Sequence, residues 1–320
     1  MASTLTDLEL LRELEPVVEA NLNRHLSMAR DWHPHDYVPW DEGRNFAALG
    51  GADWHPDQSR LGEVARTAMI TNLLTEDNLP SYHREIAENF SRDGAWGTWV
   101  GRWTAEENRH AIVMRDYLLV TRAVDPITLE RARMLHMSTG FDSTTEGVLS
   151  TIAYVTFQEL ATRISHRNTG TACADPVADR MLGRVAADEN LHMLFYRNLA
   201  AALLELQPDQ MMQAVTDVLT SFQMPGTRMP QFRRHAVIIA KAGIYDPRGH
   251  LDEVIRPVLR QWRIFERTDL TGPGERARDQ LAALLDQLTT AADRFDERRE
   301  RMLSHQACGT ACAHPLGPRG

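Results

Sequence analysis

A chain of 320 residues with 43% apolar content is long enough to bury a large core, and it reads as one domain over 1–303 with a short, disordered tail over 304–320. Its net charge of −9, from 44 acidic and 35 basic residues, argues against a general nucleic-acid binder, and no apolar run approaches the ~18 residues a membrane span requires. Three cysteines are too few for a disulfide framework and the first residues lack the basic and apolar regions of a secretory leader, so a soluble, cytoplasmic protein is expected.

Helical periodicity runs through the chain and no alternating strand pattern stands out, which predicts an all-α fold. A first helix over 3–30, whole or broken at Pro16, precedes a proline-punctuated connection containing Trp32, Pro34 and Pro39. A long helix over 59–90 should kink at Pro80, because proline removes a backbone donor and crowds the preceding turn. Further helices are expected over 96–121, from Pro126 to about 136, and over 143–167. Asp175-Pro176 then offers a cap followed by proline at the first helical position. Helices over 209–222, 233–242, 251–268 and 275–302 complete the series. Between residues 226 and 267 stand nine basic and four acidic side chains, a local charge of +5 in an acidic protein. A solvated face with intrahelical ion pairs and a docking patch for an acidic partner both fit that segment, with Arg228, Arg233, Arg234 and Arg260 as the candidate docking residues. The tail carries His305, Cys308, Cys312 and His314, which fit either a small zinc or redox site or, since the spacing is a weak signal, a disordered end.

Two helical stretches carry the chemistry. Trp103-Thr-Ala-Glu-Glu-Asn-Arg-His110 and Ala187-Asp-Glu-Asn-Leu-His192 each hold a Glu and a His three residues apart, Glu107 with His110 and Glu189 with His192. Positions i and i+3 are neighbours on a helix surface, so each pair presents one carboxylate and one imidazole in the same direction. One such pair is ordinarily a solvated face. Here both recur behind a lone glutamate in an apolar setting, Glu76 and Glu159, where an ionised carboxylate is costly without a partner or metal. Two lone glutamates and two Glu-x-x-His pairs on four helices form the ligand set of di-iron or di-manganese carboxylate bundles. On the helix of Glu159, the preceding turns of its face carry Thr156, Val155, Ile152, Leu149 and Val148, either ordinary core or the wall of a channel for an extended apolar ligand. Trp103 and Met114, on the Glu107 helix, are the alternative wall.

These residues resemble the soluble acyl-acyl-carrier-protein desaturases of plant plastids and actinobacteria. The likeness rests on Trp32-x-Pro-x-Asp-Tyr-x-Pro, Leu74-Thr-Glu-Asp-Asn-Leu-Pro-Ser-Tyr82, the two Glu-x-x-His stretches and Thr156-Phe-Gln-Glu-Leu-Ala-Thr162, and spans residues 10 to 300. It implies a ferritin-like di-iron carboxylate four-helix bundle with additional surrounding helices. Glu76, Glu107 and His110 would bind one ferrous ion and Glu159, Glu189 and His192 the other, with Glu107 and Glu189 able to bridge. Thr162 matches a threonine near the oxygen-binding face, and Trp32 and Asp188 match residues that hydrogen-bond towards a ligand histidine, on a route for electrons. The implied reaction is oxygen-dependent insertion of a cis double bond into a saturated acyl chain on acyl-carrier protein, with electrons from a ferredoxin-type donor and a homodimer as the working form. A di-iron hydroxylase or N-oxygenase acting on a non-acyl substrate shares the ligand set and is the rival reading. Ferritin-like storage proteins and manganese catalases share it too, but on shorter bundles.

Overall fold

A computed structural model describes residues 4–141 and 146–311, with side chains as far as Ser304. Among them every regular element is helical: α1 (Asp7–Met28), α2 (Glu63–Asp77), α3 (Leu79–Asn89), α4 (Gly94–Val120), α5 (Pro126–Thr139), α6 (Gly147–Ala172), α7 (Pro176–Leu206), α8 (Pro208–Ser221), α9 (Phe232–Lys241), α10 (Pro247–Gly249), α11 (Arg256–Gln261) and α12 (Gly272–Ala311), with short 3-10 turns and a π-turn over His250–Ile255. No described helix is long and apolar enough to cross a membrane.

Four helices make the centre. α6 packs along α7 and α2 along α4, and contacts of α2 with α6 and of α4 with α7 close the two pairs into a bundle. α1 lies across α4 and α7, α8 covers α6 and α7 and is itself covered by α12, and α9 rests on α2. The reason lies in the apolar distribution. Val148, Ile152, Phe157 and Leu160 of α6 and Leu182, Val185, Phe195 and Leu199 of α7 are all buried, and a helix apolar on several faces needs neighbours on several sides. Near the α6–α7 turn a Cβ on Gly170 would stand 3.2 Å from the Asp179 backbone and from Leu182, so any larger residue would push the two helices apart by a few tenths of an ångström. The Asp175 carboxylate accepts from the Val177 amide at 2.7 Å and starts α7, with Pro176 where its missing N–H costs nothing.

Of the two readings at Pro16 α1 takes the whole one, continuing unbroken. Two expected helices differ. The single kinked helix expected over 59–90 is two helices separated at Asn78, with Pro80 in the first turn of α3, where proline is tolerated. The helix expected over 251–268 is interrupted. A π-turn precedes Pro257, which cannot donate to the preceding turn, and the chain leaves helical geometry at Arg263 (φ 54°). α12 extends to Ala311. The expected tail features at His305, Cys308, Cys312 and His314 lie outside the residues whose side chains are described.

Candidate metal centre

One lone glutamate comes from each of α2 (Glu76) and α6 (Glu159), and one Glu-x-x-His pair from each of α4 (Glu107, His110) and α7 (Glu189, His192). All six side chains meet inside the bundle, between 0 and 7% exposed. They form two groups whose ligand atoms lie within 4.8 Å of one another: Glu76, Glu107, His110 and Glu189 in one, Glu107, Glu159, Glu189 and His192 in the other. Glu107 and Glu189 belong to both. His110 Nδ1 stands 3.1 Å from Glu189 Oε1, 3.5 Å from Glu107 Oε2 and 3.7 Å from Glu76 Oε2. His192 Nδ1 stands 2.7 Å from Glu107 Oε1 and 3.6 Å from Glu159 Oε2.

These separations suit an ion between the atoms better than bonds among them. Ligands about 2.1 Å from an octahedral ion are about 3 Å apart along its edges. His110 Nδ1, His192 Nδ1, Glu107 Oε1, Glu159 Oε2 and Glu189 Oε1 are buried without a hydrogen bond of acceptable geometry, so their lone pairs remain free to coordinate a cation. Charge points the same way. Burial raises the Glu107 carboxyl above its usual range and the charge of Glu189 raises it further; burial and the charges of Glu189 and Glu107 push Glu159 well up. Four buried carboxylates repel one another, and two divalent cations would balance them with both imidazoles neutral. Without a cation, burial alone would lower the His110 and His192 rings, but the surrounding carboxylates hold both well above the ordinary imidazole value. The donor set fits two hard divalent ions.

Around the ligands stands a layer of oriented partners. The Trp32 indole donates to Asp188 Oδ2 at 2.7 Å, and that oxygen is 3.5 Å from His110 Nε2; Arg184 pairs with the other carboxylate oxygen. Burial pushes the Asp188 carboxyl up, but His110, Arg184 and Trp32 outweigh it and hold it at about 2. Thr162 Oγ1 donates to Glu189 Oε2 at 2.7 Å. Trp103, expected as channel wall, also donates its indole N–H to Glu159 Oε1 at 3.0 Å.

Three partners escaped the sequence reading. His192 Nε2 and His25 Nε2 each lie 2.9 Å from Glu106 Oε2, and His166 Nε2 lies 2.8 Å from Glu76 Oε1. Glu106 carried a legible signal. It precedes Glu107 as Asp188 precedes Glu189, so each half repeats acid-Glu-x-x-His, and the acid of each motif faces the histidine of the other, Glu106 at hydrogen-bond distance from His192 and Asp188 3.5 Å from His110 Nε2. His166, seven residues after Glu159, shares its helix face. His25 carried no signal, because only the packing of α1 on α4 brings it to Glu106.

Two cavities adjoin the ligands. One, bordered by Glu76 and Glu107, has Trp103, Val155, Tyr82, Thr151 and Tyr154 in its walls; the other, reached past Glu76, is lined by Thr162, His166, Ile239 and Tyr245. Of the expected channel residues, Val155 and Trp103 line the first. Ile152, Thr156 and Met114 are fully buried and line neither cavity, and Leu149 also stands outside both, packed against the core. The cavity face of α6 is Thr151, Tyr154, Val155 and Gln158, one step around the helix from the stripe through Ile152. Arg228, Arg233 and Arg234 are exposed at and before the start of α9, whereas Arg260 lies on α11, where it shares a surface pocket with Arg256 and Arg263. Within that segment Arg256 pairs with Asp252, and Arg248 with Asp293 and Asp296.

The sequence model of a fatty acid desaturase family matches residues 6–310. The chain is 57% identical over 315 residues to a Mycobacterium tuberculosis protein named as an acyl-[acyl-carrier-protein] desaturase, DesA1, covering 96% of this chain and 93% of that one. It is 30% identical over 298 residues to the chloroplastic stearoyl-[acyl-carrier-protein] 9-desaturase 6 of Arabidopsis thaliana, covering 87% and 76%. The X-ray structure of M. tuberculosis DesA2, titled an acyl-ACP desaturase, superposes with a TM-score of 0.66 at 33% identity, over 79% of this chain and 98% of that one. The fold is the ferritin-like helical architecture of that neighbour.

Proposed function

Since the chain belongs to this fatty acid desaturase family, we propose that it inserts a cis double bond into a saturated acyl chain held on acyl-carrier protein, using dioxygen, a ferredoxin-type reductant and two irons. The observation that carries this reading is the pair of overlapping Glu/His groups sharing Glu107 and Glu189, set against a cavity that Glu76 and Glu107 border. Glu76, Glu107 and His110 would hold one iron and Glu159, Glu189 and His192 the other. Bound there, the irons would supply, with dioxygen, the oxidising power that an unactivated methylene requires and that no side-chain acid or base can provide.

The chain's own residues do the rest. Val155, Trp103 and Tyr154 line the space that would take the acyl chain and keep bulk water from it. Glu106 holds the ring of His192 by a hydrogen bond, and Asp188, facing His110 Nε2 at 3.5 Å, would hold that ring in the same sense, so that each Nδ1 points inward. Thr162 holds its hydroxyl proton against Glu189 Oε2, with its oxygen at the wall of the second cavity. Arg228, Arg233 and Arg234 provide positive charge for an acidic carrier, and a second copy of the chain completes the working form, as in the resemblance on which these partners rest.

The test is the mass of the product after anaerobic loading with ferrous iron and incubation with a saturated acyl-carrier protein, reductant and oxygen. Loss of two hydrogens supports desaturation. Gain of one oxygen would transfer the chain to the hydroxylases, and about two irons per chain is the expected loading.

A further inference from the structure

A third cavity opens where the α2–α3 break faces α5 and the segment leading to α9. Its lining includes Asn78 and His136, each 1% exposed. Neither Oδ1 nor Nδ2 of Asn78 has a hydrogen-bond partner, and neither ring nitrogen of His136 has one. Four unpaired polar atoms on two buried side chains beside one cavity are unusual, because nearly all buried polar groups are satisfied by something. Asn78 is the more telling. It precedes α3 at the position where asparagine ordinarily caps a helix, yet its side chain makes no capping bond and the amide remains available. The Tyr82 hydroxyl faces that amide and interacts with it, but without the geometry of a full hydrogen bond, so the amide keeps bonding capacity for a further group.

The chemistry of the pair defines what it can hold. Burial lowers the His136 ring below its ordinary value, so the imidazole is neutral and offers one donor and one acceptor. Asn78 likewise offers both and carries no charge. Two neutral donor–acceptor pairs complement a secondary amide, which has one N–H and one carbonyl. They do not complement a carboxylate or phosphate, whose buried charge would meet no cation from either residue. The cavity has about 90 Å³ open to the centre of a water molecule, against the roughly 10–15 Å³ that a single water needs, so it has room for a chain segment. Phe141 and Tyr154 are walls both of this cavity and of the one bordered by Glu76 and Glu107, while Gln223 and Arg228 stand exposed at its rim.

We propose that Asn78 and His136 form a subsite for a secondary amide of the arm through which a carrier presents its acyl thioester, an inference that rests on the acyl-carrier reading above. The arm enters past Gln223 and Arg228, the amide is held between Asn78 and His136, and the acyl chain continues past Phe141 and Tyr154 into the cavity beside Glu76 and Glu107.

The test compares two probes on the iron-loaded full chain by calorimetric titration: a saturated fatty acid as its pantetheine thioester, which has two secondary amides, and the same acid as the thioester of an amide-free thiol of equal length. The wild-type protein should bind the first at least about tenfold more tightly. Asn78→Leu and His136→Phe should each shrink that ratio to within about threefold, and His136→Gln, which keeps a donor and an acceptor, should preserve most of it. Equal affinity for both probes in the wild-type protein would mean that the cavity holds water only, and would overturn the subsite while leaving the acyl reading standing. A ratio unchanged in both Asn78→Leu and His136→Phe would overturn it equally. Binding of neither thioester would remove the acyl reading and the subsite with it.

Discussion

Glu106→Gln separates the two halves of the metal centre. Glu106 is buried, accepts from His192 and His25 through one oxygen at 2.9 Å each, and faces Arg102 at 2.5 Å through the other. Glutamine keeps the volume but removes the charge and turns one acceptor into a donor, so the hydrogen bond orienting His192 weakens and its ring loses the constraint that points Nδ1 inward. Loss of such an outer partner costs about 10- to 100-fold in metal affinity, or about 1.4 to 2.7 kcal/mol. The cost should fall on the ion held by Glu159, Glu189 and His192, since the outer nitrogen of His110 faces Asp188, at 3.5 Å, and not Glu106. Among the described residues Arg109 links the two acids directly, 3.8 Å from Glu106 and 3.6 Å from Asp188, distances too long for a strong coupling. Anaerobic ferrous titration against a competing chelator should resolve one unaltered and one weakened site. Equal weakening of both sites, or of neither, would refute the argument that each acid serves the histidine of the opposite motif.

On α6, Val155→Phe should fill the cavity beside Glu107 and change which acyl chain lengths are accepted, while Ile152→Phe should overpack a filled core and destabilise the protein by about 1–3 kcal/mol in denaturant titration. Reversing the charge of Arg233 and Arg234 together should raise KM for a carrier-bound substrate by roughly 3- to 10-fold at low salt, with the difference fading as salt is added; an unchanged KM at low salt would place docking elsewhere. His250 is lowered by burial to about 4, so its neutral form contributes stability that is complete above the unfolded imidazole value and is lost as pH falls towards 4. His250→Phe should therefore flatten the decline in thermal midpoint between pH 6.5 and 4, a contribution of at most about 3 kcal/mol.

Spacing alone determined the local parts of this site. On any helix, Glu107 and His110, or Glu189 and His192, share a face, and apolar surroundings at Glu76 and Glu159 mark carboxylates too costly to bury without compensation. The Asp175-Pro176 start of α7 was equally legible, because capping depends on residues in immediate sequence contact. Tertiary structure decided which faces meet. The partners of His192 and Glu76 come from helices whose packing no local pattern encodes, so His25 and His166 had no reason to stand out. The α6 stripe through Ile152 has the periodicity of a buried face, but burial against neighbouring helices and burial against a cavity produce the same apolar pattern. Only the positions of α3, α4 and the strap before α9 make Val155, rather than Ile152, the residue that looks onto empty space. Asn78 shows the same division: its sequence setting reads as the approach to a proline kink, whereas the break between α2 and α3 and the packing of α5 turn its amide into an unpaired group at a cavity wall.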